Sequence, residues 1–351
     1  MKDESDQKLR ILIVRTDRLG DVVLTLPMAR AIKHASPASH VAFLAREYTR
    51  PIVERSPDVD EILAAEPELP IRKLIAIFRG AKAGVAFFPS PRFRLVLAAW
   101  IARIPKRVGT GYRWYSLLFT HRIFEHRKTA ERHEAEFNIR MLSVLGISVP
   151  EISRLEEGAL LTIRLRNPER AAVGEWLARR LGNSSAKFAV LHVTNGGSTH
   201  PWPIHNFAEL GRRMAEQYGL TIILTGLRQE EKELESMANS IESSTASPGS
   251  AHVFAGHSLP ELAALVERAE VVVASGTGPG HLAAALGANT IGLFPLPLAL
   301  SKARWGFRGL RARNLSPDPV PGCPTCEHCT CMERLEVRSV MKEVGIALRP
   351  H

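Results

Sequence analysis

The stretch Val271–Gly287 reads VVVASGTGPGHLAAALG. Val271, Val272 and Val273 are consecutive β-branched residues, which suits a strand covered on both faces. Gly276, Gly278 and Gly280 let the backbone turn tightly and let a ligand come close. A helix is expected from near His281, presenting unpaired N–H groups and a positive dipole end to whatever lies in the turn. Such a strand, glycine turn and helix can hold a phosphate, although many sheet-to-helix turns use glycine for geometry alone.

Working outward, strand and helix patterns alternate. In the first half, Leu9–Arg15 (LRILIVR), His40–Ala45 and Val85–Phe88 read as buried strands. Asp21–Ala35, Arg92–Ile104 and Ala130–Leu145 read as helices. After a linker around Pro150–Asn167, strands are expected at Phe188–Val193, Thr221–Thr225, Val271–Ala274 and Thr290–Phe294. Helices are expected at Asn206–Tyr218, Glu230–Ile241 and Glu336–Ala347, and Ser258 with Glu261 forms a capping box that opens another. The fold class is α/β: two Rossmann-like doubly wound domains, 1–167 and 168–351, facing across a cleft.

The chain has 351 residues, 45% of them hydrophobic and 23% charged, with a formal charge of +10. These are globular values, and the basic balance favours acidic partners. No secretory signal and no apolar run long enough to span a bilayer is apparent, so a cytoplasmic protein is expected. All four cysteines fall in Cys323–Cys331, which excludes a distributed disulfide framework. The C-x2-C-x2-C-x-C spacing of Cys323, Cys326, Cys329 and Cys331 is tighter than that of a zinc ribbon; a metal or iron–sulfur site and a thiol-rich structural loop both stay open.

Several segments together resemble one family. ILIVRTDRLGDVVLTLPMARAIK, WPIHNFAELGRRM, the Gly226–Glu231 segment and AGHSLPELAALVERAEVVVASGTGPGHLAAALG follow in the order and spacing of the ADP-heptose:lipopolysaccharide heptosyltransferases, glycosyltransferase family 9. The resemblance implies a GT-B fold with the acceptor held by the first domain and the nucleotide-sugar by the second. It implies an inverting transferase that needs no metal or other cofactor and moves a heptose from ADP-heptose to a lipopolysaccharide inner-core sugar. The expected partners are therefore a nucleotide-sugar donor and an anionic glycolipid acceptor, with peripheral contact at the inner membrane surface.

By the same resemblance Asp21, after Gly20 at the first strand–helix turn, is the general base. A carboxylate there can take the proton of an attacking hydroxyl, whereas dipole stabilisation alone also favours an acid in a first helical turn. The leaving diphosphate needs donors or a helix end. Thr277, Gly278, Pro279, Gly280 and His281 are the candidates in the late turn; Thr194 and Asn195 are candidates in the polar loop after Phe188–Val193. Glu230 is expected to hold the ribose or to satisfy a helix start. His200 stands where relatives commonly carry Lys, and Gly276 where they commonly carry Asp. Arg18, Arg113 and Arg122 are candidates for the acceptor, the last two in the basic, aromatic segment Arg92–Arg140, which also reads as one or two solvated helical faces. Single-stranded nucleic acid is disfavoured because no recognition module is present. Thr16–Gly20 lacks G-x-G-x-x-G, which argues against a nucleotide-dependent oxidoreductase. A transferase using another nucleotide-sugar and a binding protein that has lost turnover both remain as alternatives.

Overall fold

A computed structural model of the chain describes residues 9–147, 163–183, 186–194, 196–197, 199–243, 251–320 and 330–349. The chain divides into two compact units, one of residues 9–127 and 132–164, the other of 165–349 together with 128–131.

The first unit carries a six-stranded parallel sheet: β1 (Arg10–Val14), β2 (His40–Ala45), β3 (Glu61–Ala64), β4 (Val85–Phe87), β5 (Lys106–Thr110) and β6 (His121–Ile123), in the order β3-β2-β1-β4-β5-β6. β1 is apolar on both faces, and Ile11 to Val14 are buried because helices cover both sides of a parallel sheet. Its helices are α1 (Leu19–Val23), α2 (Leu26–Ala35), α3 (Arg50–Val53), α4 (Ile71–Gly80), α5 (Phe93–Ile101) and α6 (Glu134–Arg140).

Two expected helices and one expected helical segment differ. The one expected over Asp21–Ala35 breaks into α1 and α2, since Pro27 in the first turn of α2 has no N–H to continue the ladder. The Leu24 carbonyl at the break accepts from Asn138 Nδ2 at 3.1 Å. The one expected over Ala130–Leu145 starts only at Glu134: Ala130 has φ 53°, outside the helical region, and His133 caps α6 by accepting from the Ala135 N–H. The segment Arg92–Arg140 is not simply helical faces, because β5 and β6 lie within it.

The second unit repeats the plan with β7 (Phe188–His192), β8 (Thr221–Gly226), β9 (Ala251–Ala255), β10 (Val271–Ser275), β11 (Thr290–Leu293) and β12 (Ala312–Leu315), in the order β12-β11-β10-β7-β8-β9. Its helices are α7 (Asn167–Leu181), α8 (Ile204–Tyr218), α9 (Glu231–Ser243), α10 (Leu259–Arg268), α11 (Gly278–Ala285), α12 (Lys302–Trp305) and α13 (Val337–Ala347). Ser258 and Glu261 form the expected box at the start of α10. The core of this unit joins Leu191, Trp202, Phe207 and Val273 to Val340 and Val344 of α13. Trp202 is fully buried, and its indole N–H donates to the Leu335 carbonyl at 2.8 Å.

Both sheets have the strand order 3-2-1-4-5-6 counted within the unit, so both are doubly wound α/β sheets of Rossmann order. In each, the direction of winding reverses between the first and fourth strands, which are β1 and β4 in one and β7 and β10 in the other. The crevice beyond the carboxyl ends of those strands is where such sheets bind ligands. No helix among the described residues is long and apolar enough to cross a membrane.

Candidate active site

The crossover of the first sheet carries an ionic cluster. Arg15 follows β1 with its side chain 3% exposed, and its guanidinium donates to Asp21 Oδ1. The same group lies 3.0 Å from Asp17 Oδ2 and 3.7 Å from Glu134 Oε1. Burial is the largest influence on Arg15 and works against its charge; Asp21, Glu134 and Asp17 outweigh it, leaving the guanidinium harder to deprotonate than usual. Asp21 sits in α1, and its other oxygen accepts from the Arg18 amide at 3.3 Å. Arg127 pairs with Glu134 and donates to Asn138 Oδ1 at 2.8 Å, while Asn138 and the Asp21 carbonyl both bond Thr25. α6 thus braces α1, and Asp21 is held by a fixed cation with 20% of its side chain still open to solvent.

Sequence reasoning placed Asp21 here but missed Arg15, Glu134 and Asn138. The signal for Arg15 was available: an arginine ending the apolar run ILIVR must be buried, and a buried cation needs acids. Arg18 is exposed beside Asp21 at the start of α1. Arg113 and Arg122 are exposed on the β5–β6 side of the sheet, and no hydrogen bond or ion pair joins them to the Arg15 cluster.

The crossover of the second sheet carries the turn from Ser275 to His281. α11 begins at Gly278, three residues earlier than expected, with Thr277 as N-cap. The His281 amide is therefore not unpaired; it donates to the Thr277 carbonyl at 3.2 Å. The first-turn amides without intrahelical partners are those of Gly278 and Gly280, since Pro279 has none to offer. Thr277 is 4% exposed, and its hydroxyl neither caps the helix nor meets a hydrogen-bond partner among the described residues. A buried hydroxyl left unmatched is costly, and a ligand phosphate would satisfy it. His281 is also 4% exposed, edge-on to Phe307 with ring centroids 4.9 Å apart.

The glycines have a different reason from the expected one. None of Gly276, Gly278 and Gly280 has a positive φ, so no tight left-handed turn requires them. A Cβ on Gly276 would lie 2.6 Å from the Phe294 ring, and one on Gly280 would lie 2.0 Å from the Phe307 ring. Phenyl rings occupy the space of the missing side chains.

Around this turn, the Trp202 amide donates to Ser275 Oγ at 3.4 Å, which anchors the segment containing His200 at the end of β10. Thr194 follows β7, and Glu230 follows β8; a Cβ on Gly226 would be 3.0 Å from Glu230 Oε2 and 3.5 Å from Thr194 Cγ2, so both side chains converge over Gly226. Glu230 Oε2 accepts from the Leu227 amide at 2.7 Å, the helix-start role considered for it. His192, missed in the sequence, is buried at the end of β7 with Nδ1 2.9 Å from Thr225 Oγ1, and burial depresses its pKa from 6.5 to about 4.

Asn195 lies outside the described residues, as do Cys323, Cys326 and Cys329. Cys331 is buried, and its sulfur accepts from the Leu296 amide at 3.5 Å. Among the described residues no group of three or more His, Cys, Asp or Glu is placed to hold a metal ion.

The family model for glycosyltransferase family 9 (heptosyltransferase) matches residues 94–296. A Haemophilus influenzae protein assigned as a glycosyltransferase is 23% identical over 358 residues, covering 97% of each chain. Two solved structures share the fold: the family 9 glycosyl transferase of Veillonella parvula (TM-score 0.82, 20% identity, 99% of this chain and 98% of that one) and the ADP-heptose lipopolysaccharide heptosyltransferase II of E. coli (TM-score 0.74, 20% identity, 97% and 98%). The family model spans more than half the chain, and both sheets have the Rossmann order that the GT-B architecture requires; the protein belongs to glycosyltransferase family 9 and is a GT-B glycosyltransferase.

Proposed function

We propose that the protein transfers a heptose from ADP-heptose to an inner-core sugar of a lipopolysaccharide acceptor, with inversion and without a metal ion. The observation that carries this reading is the placement of the two candidate groups, Asp21 and the Ser275–His281 turn, each at the crossover of a Rossmann-order sheet. The donor sugar follows the name of the E. coli heptosyltransferase II, which shares the fold.

In the proposed reaction an acceptor hydroxyl oxygen attacks the anomeric carbon of the donor as its proton passes to Asp21. The bond from that carbon to the diphosphate oxygen breaks, and the nucleoside diphosphate leaves with the electron pair. The transition state has oxocarbenium character, and attack opposite the leaving group inverts the centre. The Arg15 guanidinium holds the Asp21 carboxylate in place. Charge growing on the diphosphate is met by the Gly278 and Gly280 amides, the Thr277 hydroxyl and the α11 dipole, with His281 and His200 as further donors. Thr194 and Glu230 face the nucleoside side, and Asn195 belongs to the same loop. Arg18 stands beside the base as a contact for an anionic acceptor. The protein would work in the cytoplasm, at the membrane surface that carries its acceptor.

A second reading, the same chemistry with a different nucleotide-sugar, is favoured by Gly276: the Phe294 ring leaves no room there for the acid common in relatives. Purified protein incubated with ADP-, UDP- and GDP-sugars and a core-oligosaccharide acceptor separates the two by which nucleoside diphosphate is released. Asp21→Asn should lower kcat by about 10² to 10⁴. If Asp21→Asn keeps wild-type turnover, the assignment of the base is wrong; if none of these donors is turned over, the heptose reading falls.

A further inference from the structure

Residues 69–124 contain eleven Lys and Arg and no Asp or Glu. The same part of the chain concentrates exposed apolar bulk. Of the twelve large hydrophobic side chains exposed among the described residues, six fall between Phe93 and Phe124. Trp114 is 74% exposed, Leu117 69% and Trp100 50%. A monomer rarely leaves such groups together in water without a use for them.

Four of them gather along α5, and the other two pair beside β6. Phe93 and Trp100 are seven residues apart on α5, on the same side of the helix. The turn Ser116–Leu118 packs against α5, which sets Leu117 beside it. Trp114 leans on Phe93 with ring centroids 4.7 Å apart, and Tyr112 meets Phe124 edge-on at 5.6 Å. These rings support one another at the surface instead of entering the core. β6 is the last strand of its sheet, so no further strand covers that edge. Arg103 and Lys106 are exposed at the end of α5 and the start of β5, and no acid among the described residues pairs with either.

We infer that this face docks the protein on an anionic lipid bilayer. Trp and Tyr beside Arg and Lys match the chemistry of the bilayer interface, where amphipathic rings sit at headgroup depth and cations meet lipid phosphates. Each cation near such a surface adds to the attraction, and apolar insertion reinforces it. Nucleic acid fits less well. Tyr112 is already stacked on His126 at 4.2 Å, and Leu117 offers a base nothing to stack on. The inference deepens the glycolipid reading of the acceptor by naming the surface that would bring the enzyme to it.

The test uses the full-length protein without donor or acceptor, so it is independent of the transferase reading. Flotation is measured with phosphatidylcholine vesicles, alone and with about 30% phosphatidylglycerol, at low and high salt. Binding should appear with the anionic vesicles only and weaken in salt. Trp114→Ser with Leu117→Ser, and separately Arg103→Glu with Lys106→Glu, should each weaken it about tenfold. Neither pair should alter the circular dichroism or the turnover of a short soluble acceptor. Absence of vesicle binding, equal binding to neutral vesicles, or indifference to both pairs would overturn the inference. So would salt-sensitive binding of a single-stranded oligonucleotide in place of vesicles.

Discussion

Gly280→Ala tests whether the second crossover is built around phenyl rings. The added methyl would lie 2.0 Å from Phe307 Cζ, with Cε2 at 2.5 Å and Cε1 at 2.8 Å. Ordinary contact begins near 3.4 Å, so the ring must retreat by about 1.4 Å. It has little room: Phe307 is 1% exposed and packs edge-on against Phe294, with centroids 5.1 Å apart. Overpacking of this kind costs about 1–3 kcal/mol. Alanine regains less than about 1 kcal/mol of helix propensity, because the site lies in the first turn. The net expectation is a loss of about 1–2 kcal/mol in urea unfolding of the second unit. Since Phe307 supports His281, the donor KM should rise as well. Phe307→Leu removes the obstructing ring edge, so in the double variant the two costs should fall short of their sum by about 1 kcal/mol or more. A Gly280→Ala protein as stable as wild type, or costs that add simply, would show that this glycine is not reserved for the ring.

Arg15→Met should cost about 3 kcal/mol or more in urea, because it leaves Asp17, Asp21 and Glu134 without their buried counter-charge; Arg15→Lys should cost less, and the pair of midpoints checks the order. Thr277→Val should leave the free protein as stable or slightly more so, since its hydroxyl has no partner to lose, yet raise the donor KM about five- to tenfold through a missing bond to phosphate; an unchanged KM would remove Thr277 from the donor site. His192 gives a pH dependence. Its folded pKa lies near 4, below the 6.5 of the unfolded chain, so the unfolded state takes up the proton first. The contribution is fully present above pH 6.5 and is lost as pH falls towards 4, about 2 kcal/mol being gone at pH 5. His192→Gln should flatten that part of the stability–pH curve, which equilibrium unfolding between pH 4 and 7 would show.

What could be read from the chain depended on burial. Strands covered on both faces, such as His40–Ala45 and Val271–Ser275, announce themselves as unbroken apolar runs. Edge and near-edge strands do not. β3 is half-buried throughout, β5 begins Lys106-Arg107, and β6 is three residues long; hydrogen bonding to a neighbour makes them strands, and that pairing leaves no local pattern. The helix breaks at Pro27 and Ala130 turn on single backbone positions inside favourable helical composition. At the sites, glycines after a buried strand pointed to the Ser275–His281 turn, whereas Asp21 was singled out by the family resemblance, since an acid in a first helical turn is equally explained by the helix dipole. The supports of those groups were hidden: Glu134 lies more than a hundred residues from Arg15, and Phe307 more than twenty-five from Gly280. Local sequence shows which side chain stands at a strand end. It does not show what holds it.

The two crossovers also differ in how each helix start is answered, and the difference bears on their roles. Helix starts attract negative charge. At α1 the chain supplies that charge itself: Asp21 accepts from the Arg18 amide. An acid kept there only for the dipole would need no more. Asp21 additionally carries a buried guanidinium fixed by two further acids, which defines its orientation. At α11 the described residues supply no such charge. No acid lies in the first turn, Thr277 makes no capping bond, and the residue before it is Gly276. A closed structural turn would have matched these donors internally, as Ser258 and Glu261 do for α10. The same architecture therefore offers a fixed carboxylate at one crossover and unsatisfied donors at the other. That asymmetry supports the proposed roles, proton acceptance at the first and diphosphate binding at the second, and filling α11 with an internal acid, as in Gly278→Asp, should abolish donor binding while leaving the first unit unchanged.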